Sequence, residues 1–296
     1  IFARRLILES KFGYFLEIKK QPNSRLNFTG VSLEKFFEKS KSSISKIEIN
    51  DGNIKAHLGD YFDIKKINSG SEKKNLIQQA INPSDPFLFL KGDLSRVDYI
   101  GANWKNGNIS IVGDVGDYLG FSQLGGHIAV QGSVGLHMGC NMSNGFLKVN
   151  GDVGDYGACA LPGQRQGVTG GTILVNGNVG DNFGDSMRRG LLIVFGNAGR
   201  FFLSRLVAGT AVISGETGEH VCYGMRRGTV LFLNPNVKIP NTFLKSNHNL
   251  ESFWNLLCKD LKDYGYPLNR ISGLDFSRYV GDISFDGMGE VFLVDD

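Results

Sequence analysis

The chain has 296 residues, with 32 Lys and Arg against 29 Asp and Glu and a net charge of +3. That near balance argues against a nucleic-acid or membrane-surface binder, which needs a strong basic field. No apolar run reaches the roughly 18 residues of a membrane span, and no signal peptide is visible in a chain that begins at Ile1.

Residues 1–86 are rich in lysine and serine and do not repeat. Leu6-Ile7-Leu8 and Tyr14–Ile18 read as short strands around Gly13. Ser32 is placed to cap a short helix through Ser40, with Leu33, Phe36 and Phe37 on its apolar side. Lys41–Ser45 and Ser69–Lys74 read as loops, and Pro83-Ser-Asp-Pro86 closes the segment.

From Phe87 to Leu233 a repeat dominates. The block Gly107–Gly116 (GNISIVGDVG) returns as Gly126–Gly135, Gly145–Gly154, Gly171–Gly180, Gly190–Gly199 and Gly209–Gly218, with a truncated copy from Gly228 to Leu233. Successive starts are 19, 19, 26, 19, 19 and 19 residues apart. Such a period, made of glycine-bounded alternating segments, is the signature of a solenoid. Positions three and five of each block are apolar (Ile109/Ile111 through Ala211/Ile213), so each block reads as a strand with those side chains on one face. Position nine (Val115, Val134, Val153, Val179, Ala198, Thr217) gives a second inward contact. A third falls three residues before the next block, at Trp104, Met142, Val168, Met187, Leu206 and Met225, with Gln123 breaking the column. Three inward corners per coil predict a mainly β fold: a right-handed parallel β-helix of about seven coils, roughly 30 Å long at about 4.8 Å per coil. The 40 glycines, about twice the usual share of ~7%, supply its corners.

After Leu233, Asn234-Pro235 and Ile239-Pro240 form a connector. Asn249–Tyr264 reads as an amphipathic helix with Phe253, Leu256, Leu257 and Leu261 on its apolar face, ended by Gly265 and Pro267. Residues Arg278–Leu293 are expected as a strand pair crossing back over the solenoid. The expected domains are an α+β cap (1–86), the β-helix (87–233) and a helix with return strands (234–296).

Aligned columns restrict where chemistry can sit. Two residues after each closing glycine stand Tyr118, His137, Tyr156, Asn182, Phe201 and His220, which read as a stacked ladder. His137 and His220 are four coils apart, about 19 Å, too far to share a metal. The column Asp114, Ser133, Asp152, Asn178, Asn197, Glu216 reads as turn-favouring side chains; a nonapeptide calcium roll has the wrong period. Four cysteines (Cys140, Cys159, Cys222, Cys258) form no CxxC pair and no metal-ligand spacing, as expected in a reducing cytoplasmic compartment. Cys140 and Cys159 fall in one column, able to bridge or bind a soft metal but with no third ligand evident, so buried reduced thiols are expected. No catalytic, cofactor-binding or metal-binding residue is assigned.

Two departures from the repeat are candidate partner contacts. Arg188-Arg189 and Arg226-Arg227 precede equivalent glycines two coils apart and form either a solvated basic edge or an anchor for acidic surfaces. Seven extra residues within Ala158–Gly170, including Gln164 and Arg165, form either a binding loop or a tolerated one.

The Gly-Asx-Val-Gly-Asp blocks, Met-Arg-Arg-Gly at Met187–Gly190 and Met225–Gly228, and the tail Arg278-Tyr-Val-Gly-Asp…Gly287-Met-Gly-Glu-Val-Phe resemble the GXGXG β-helix family. That family includes the C subunit of formylmethanofuran dehydrogenase and the C-terminal domain of the glutamate synthase large subunit. The insertion and the helix before the tail look most like the C subunit of the bacterial formyltransferase/hydrolase complex. The resemblance covers about 87–293. It implies a non-catalytic scaffold in a complex that moves a formyl group from formyl-tetrahydromethanopterin to a methanofuran analogue and hydrolyses it to formate. It further implies partners: an amidohydrolase-like A subunit with zinc, a molybdopterin-enzyme-like B subunit and a D formyltransferase. A true molybdenum or tungsten dehydrogenase subunit and a glutamate synthase-like domain are the alternatives.

Overall fold

The computed structural model describes residues 13–36, 39–67, 86–246, 251–263 and 274–295. Leu6–Leu8, Phe37, Ser69–Lys74 and Pro83 lie outside them. The described protein is mainly β, with few helices.

Each repeat contributes one strand: β8 (Asn108–Val112), β9 (Leu124–Val130), β10 (Asn144–Val149), β11 (Thr172–Val175), β12 (Leu191–Val194), β13 (Thr210–Ile213) and β14 (Thr229–Phe232). Each lies parallel to the next and in register. Ile109 faces Ile128, Ile128 faces Leu147, and so on to Ala211 against Val230. Parallel neighbours cannot be joined by a tight hairpin. The remainder of each repeat supplies the crossover. Within it, position nine forms a second ladder of parallel bridges from Val115 to Thr217, which starts one copy earlier at Leu94. Leu94 and β6 (Phe87–Lys91) therefore make a further copy of the repeat, which keeps the position-seven glycine as Gly92 but has Pro86 and Ser95 at the opening and closing glycine positions. Side chains of positions three, five and nine and of the third column join one buried cluster, except Thr217, which is only partly buried. Gln123 stays in that interior, fully buried. Its amide donates to the Gly125 and Gly126 carbonyls at 3.0 and 3.1 Å.

Glycine at position seven is required by close approach. A Cβ on Gly132 would lie 2.4 Å from the Gly113 carbonyl oxygen, and the contact recurs at Gly177, Gly196 and Gly215. The polar column beside it works across repeats rather than within turns. Asp114 accepts from the Ser133 N–H (2.8 Å), Asp152 from Asn178 (2.7 Å), Asn178 from Asn197 (2.8 Å) and Asn197 from Glu216 (2.8 Å).

Both ends extend the main sheet. In a 13-stranded order, β1 (Gly13–Ile18) lies parallel to β6 with Leu16 opposite Leu90, and β5 (Phe62–Ile67) forms the edge antiparallel to β1. A four-stranded sheet joins β4 (Ile54–His57), β3 (Glu48–Asp51), β2 (Leu26–Asn27) and β7 (Val97–Asp98). The short helices are α1 (Leu33–Phe36), α2 (Lys41–Ser45) and α3 (Leu58–Tyr61). The loop expected at Lys41–Ser45 is thus a helical turn. Ser40 Oγ accepts from the Ser43 N–H at 3.2 Å, and Ile44 is buried.

At the other end β16 (Phe276–Gly281) and β17 (Gly289–Val294) pair antiparallel, and β15 (Leu244–Ser246) adds to β16. The pair does not cross back over the repeats. β17 continues them, parallel to β14 with Val291 opposite Val230. The C-terminal helix α4 (Glu251–Asp263) turns Trp254, Leu257 and Cys258 toward the outer face of the sheet. Phe253 and Leu256, expected on its apolar face, are 38% and 62% exposed. The outer face explains the rotation. Position four changes from Ser110, Ala129 and Lys148 to Leu174, Ile193, Val212 and Leu231, and these four pack with Trp254 and Leu257.

Asp282 pins the tail to the last repeat. It is 2% exposed, and its carboxylate accepts the Gly224 and Ser284 N–H groups, both at 3.1 Å. Burial alone would raise its pKa, but donation from the Ser284 hydroxyl, the Gly224 N–H and Thr242 reverses this and holds it below the ordinary carboxylate range.

Two outcomes are expected. At Gly113 φ is +136° and a Cβ would meet the Gly92 oxygen at 1.9 Å. Gly113→Ala should therefore cost about 2 kcal/mol or more, read by thermal unfolding. Because the folded pKa of Asp282 is depressed, its contribution is complete above the unfolded value near 3.9 and is lost as pH falls through the folded value. Asp282→Asn should cost about 1–3 kcal/mol at neutral pH. Its Tm deficit relative to the natural chain should shrink below about pH 4.

Candidate functional site

The turn after each closing glycine concentrates the polar side chains. Except at Ala160, where the insertion begins, its residues two, four and six positions on adopt positive φ whether or not they are glycine, among them Tyr118 (60°), His137 (60°), Asn141 (58°), Tyr156 (60°), Ala158 (55°), Asn182 (59°), Ser186 (57°), Phe201 (58°), Leu203 (56°) and Arg205 (52°). Left-handed backbone costs about 1–2 kcal/mol at a non-glycine residue. Here it alternates the direction of the N–H groups. Residues two and six positions on donate to the following repeat, as His137 to Asp155 O (3.1 Å) and Ser186 to Ser204 O (2.9 Å). Residues four positions on donate to the preceding one, as Gly139 to Leu119 O (2.8 Å). A curved segment thus bonds to both neighbours as a strand does.

The planar column stacks as its composition suggests. Ring centroids are 4.6 Å apart for Tyr99–Tyr118, 4.8 Å for Tyr118–His137, 5.4 Å for His137–Tyr156 and 4.8 Å for Phe201–His220, with Asn182 between the two runs. Burial lowers the pKa of His137, which favours its neutral form.

Beneath the rings, five positions after the closing glycines, runs a buried polar row: Cys140, Cys159, Asp185 and Ser204. The Cys140 and Cys159 sulfurs are 3.3 Å apart and form no disulfide. Cys140 Sγ also lies 3.9 Å from His137 Nδ1 and donates to the Tyr156 carbonyl at 3.2 Å. His137, Cys140 and Cys159 present three ligand atoms within 4.8 Å of one another. His137 supplies the third potential ligand atom, which the one-dimensional spacing concealed. It belongs to a different column from the cysteines, and only the turn's curvature brings its ring over them. The hydrogen bond with Cys159, with burial, pushes the Cys140 thiol pKa up.

One repeat further on, Asp185 accepts from Ser204 Oγ (2.6 Å), Ser186 Oγ (3.1 Å) and Arg205 Nε (2.9 Å). The insertion leaves and rejoins the repeats beside this row. Ala160 N–H donates to Asp185 O at 3.2 Å and Gly167 N–H to Ser186 O at 2.9 Å.

The candidate contact residues fall nearby. Gln164 and Arg165 are exposed on the insertion. Arg188 and Arg189 are exposed where it rejoins, and both N–H groups point at Val168 O (2.8 and 3.3 Å). The two departures from the repeat are therefore neighbours. Arg226 and Arg227, also exposed, sit two repeats on, where the Arg226 carbonyl receives the Met288 N–H of the tail at 2.7 Å. Among the described residues no ion pair joins these four arginines to an acidic group.

No family model matches the chain. It is similar along its length to a chain in the X-ray crystal structure of the formyltransferase/hydrolase complex (FhcABCD) from Methylorubrum extorquens in complex with methylofuran. The TM-score is 0.82 and the identity 31%, over 95% of this chain and 100% of that one. It is also similar to the C subunit of the molybdenum-containing formylmethanofuran dehydrogenase 1 of Methanothermobacter marburgensis (37% identity over 73 residues) and of Methanothermobacter thermautotrophicus (38% over 74). Those segments span 25% of this chain and only 15% of the curated relatives. With a relative above 30% identity matched from end to end, the chain belongs to the C-subunit family shared by formylmethanofuran dehydrogenase and the formyltransferase/hydrolase complex.

Proposed function

We propose that this chain is the non-catalytic scaffold subunit of a multi-subunit formyltransferase/hydrolase complex. The carrying observation is the end-to-end likeness to a chain of that complex, at a TM-score of 0.82. In this reading the complex transfers a formyl group from formyl-tetrahydromethanopterin to a methanofuran-type cofactor and releases formate. The chemistry sits on an amidohydrolase-like A subunit with zinc, and on a D formyltransferase. A molybdopterin-enzyme-like B subunit joins them in the assembly. The chain works in the cytoplasm. No described helix is long and apolar enough to cross a membrane.

The scaffold is a right-handed parallel β-helix over 87–233, between an N-terminal α+β unit (1–86) and a C-terminal helix with strands (234–296). The in-register parallel strands, the second ladder from Leu94 to Thr217 and the bonded turns support three stacked sides per coil. A rod of this kind offers long faces to several partners at once. The exposed insertion with Gln164 and Arg165, and the pairs Arg188/Arg189 and Arg226/Arg227, are the anchors for acidic partner surfaces.

The second reading, the C subunit of a true molybdenum or tungsten dehydrogenase, is favoured by the 73-residue match. Metal analysis of the purified assembly separates the two. Molybdenum or tungsten supports the dehydrogenase, and zinc without either supports the hydrolase.

Co-expression with the A, B and D subunits should yield one co-purifying complex; a folded chain that stays monomeric overturns the scaffold role. The double change Arg188→Glu/Arg189→Glu should leave the fold intact, as exposed sites change stability by about 0.5 kcal/mol or less. It should weaken assembly about tenfold or more, since a reversed interfacial charge costs several kcal/mol. Unchanged assembly and unchanged formate release would remove these arginines as anchors.

A further inference from the structure

We propose that His137, Cys140 and Cys159 form a binding site for one thiophilic divalent cation, with zinc as the natural ion. The site is built across two repeats. His137 and Cys140 lie on one turn and Cys159 on the next, and all three ligand atoms fall within 4.8 Å of one another.

The geometry suits the ion. Tetrahedral zinc, with sulfur at about 2.3 Å and nitrogen at about 2.0–2.1 Å, needs about 3.8 Å between two sulfurs and about 3.5 Å from sulfur to nitrogen. The observed separations are 3.3 Å for the thiols and 3.9 Å for Cys140 to His137 Nδ1, each within about half an ångström of those values, and the imidazole lies within 4.8 Å of Cys159, so closing on the ion draws Cys159 and His137 together. The imidazole is already oriented. It is clamped between Tyr118 and Tyr156 at interplanar angles of 12° and 21°. Its neutral form presents a lone pair to the metal. A pair of structural thiols needs no such ring.

Charge also selects the ion. Binding replaces two thiol protons, released to solvent, with one divalent cation on two thiolates and a neutral imidazole. The site stays uncharged, which a buried position requires. A monovalent ion on the same two thiolates would leave one net negative charge beside Cys140 and Cys159, 0% and 2% exposed. The raised pKa of the Cys140 thiol does not prevent binding, because a coordinating thiol is deprotonated outright by the cation. The Tyr156 carbonyl, 3.2 Å from Cys140 Sγ, and a water are the candidates for the fourth ligand.

The test uses the full-length chain, purified under reducing conditions, stripped with a chelator and titrated with cadmium as a spectroscopic stand-in for zinc. One equivalent should produce a thiolate-to-cadmium charge-transfer band and release two protons, and zinc should compete for it. Cys140→Ser and Cys159→Ser should each abolish the one-equivalent band, and Cys258→Ser should not. His137→Tyr keeps a ring in the stack and tyrosine already stands at both neighbouring positions, so the fold should persist by circular dichroism. Affinity should fall by more than the roughly 10–100-fold typical of outer-shell changes. Stoichiometric binding that survives Cys159→Ser, its absence from the folded natural chain, or a thiol count showing Cys140 and Cys159 joined as a disulfide would overturn the proposal.

Discussion

The structure rests on contact between backbone atoms of residues one repeat apart. At position seven the chain passes so close to its predecessor that a Cβ on Gly215 would lie 2.3 Å from the Gly196 carbonyl oxygen. Only glycine permits that approach. Once it is made, every equivalent position in adjacent repeats is brought into register. The strand ladder, the valine ladder and the polar column all depend on it. The constraint is cooperative. Removing one close contact would disturb a whole repeat, not a single residue.

The same stacking makes the turns chemically useful. Left-handed backbone at Tyr118, His137 and Tyr156 costs energy at each position, and the N–H bonds to flanking repeats offset it. Held in this way, a turn repeats its side-chain directions from coil to coil. Identical positions become columns, and columns can accumulate like groups. Rings stack on rings, thiol lies on thiol, and Asp185 meets the hydroxyl of Ser204. A metal-ligand set can then arise from residues 137, 140 and 159, whose linear spacing resembles no familiar motif.

Much of this was legible in the sequence because the repeat converts spacing directly into distance. The inward columns, the strand positions and the stacked rings all emerge from alignment at 19 residues. What was hidden depends on relations between columns. Cys140 and Cys159 aligned, but the approach of His137 Nδ1 to within 3.9 Å of Cys140 depends on how the turn curves. The asparagine and aspartate column was visible, yet its bonds run to the next repeat. That distinction needs coordinates, because both arrangements use the same residue types. The α2 turn at Lys41–Ser45 was obscured by three serines, a poor helical composition rescued by the Ser40 cap and the burial of Ile44.

The misplaced face of α4 had a signal that helix periodicity alone could not supply. A helix with Phe253, Trp254, Leu256, Leu257 and Cys258 has apolar residues over more than one stripe, and its partner decides which is used. The partner's register was written elsewhere. Position four of the repeat turns apolar only from Leu174 onward, through Ile193, Val212 and Leu231. That change marks which coils are covered on their outer side. Trp254 and Leu257 take the covered stripe, so Phe253 and Leu256 are left facing out. The earlier repeats keep Ser110, Ala129 and Lys148 at the same position, with Ser110 buried and the other two partly exposed. The outer face of the sheet therefore changes character along the repeats: small or polar at Ser110, Ala129 and Lys148, and apolar beneath α4 from Leu174 onward.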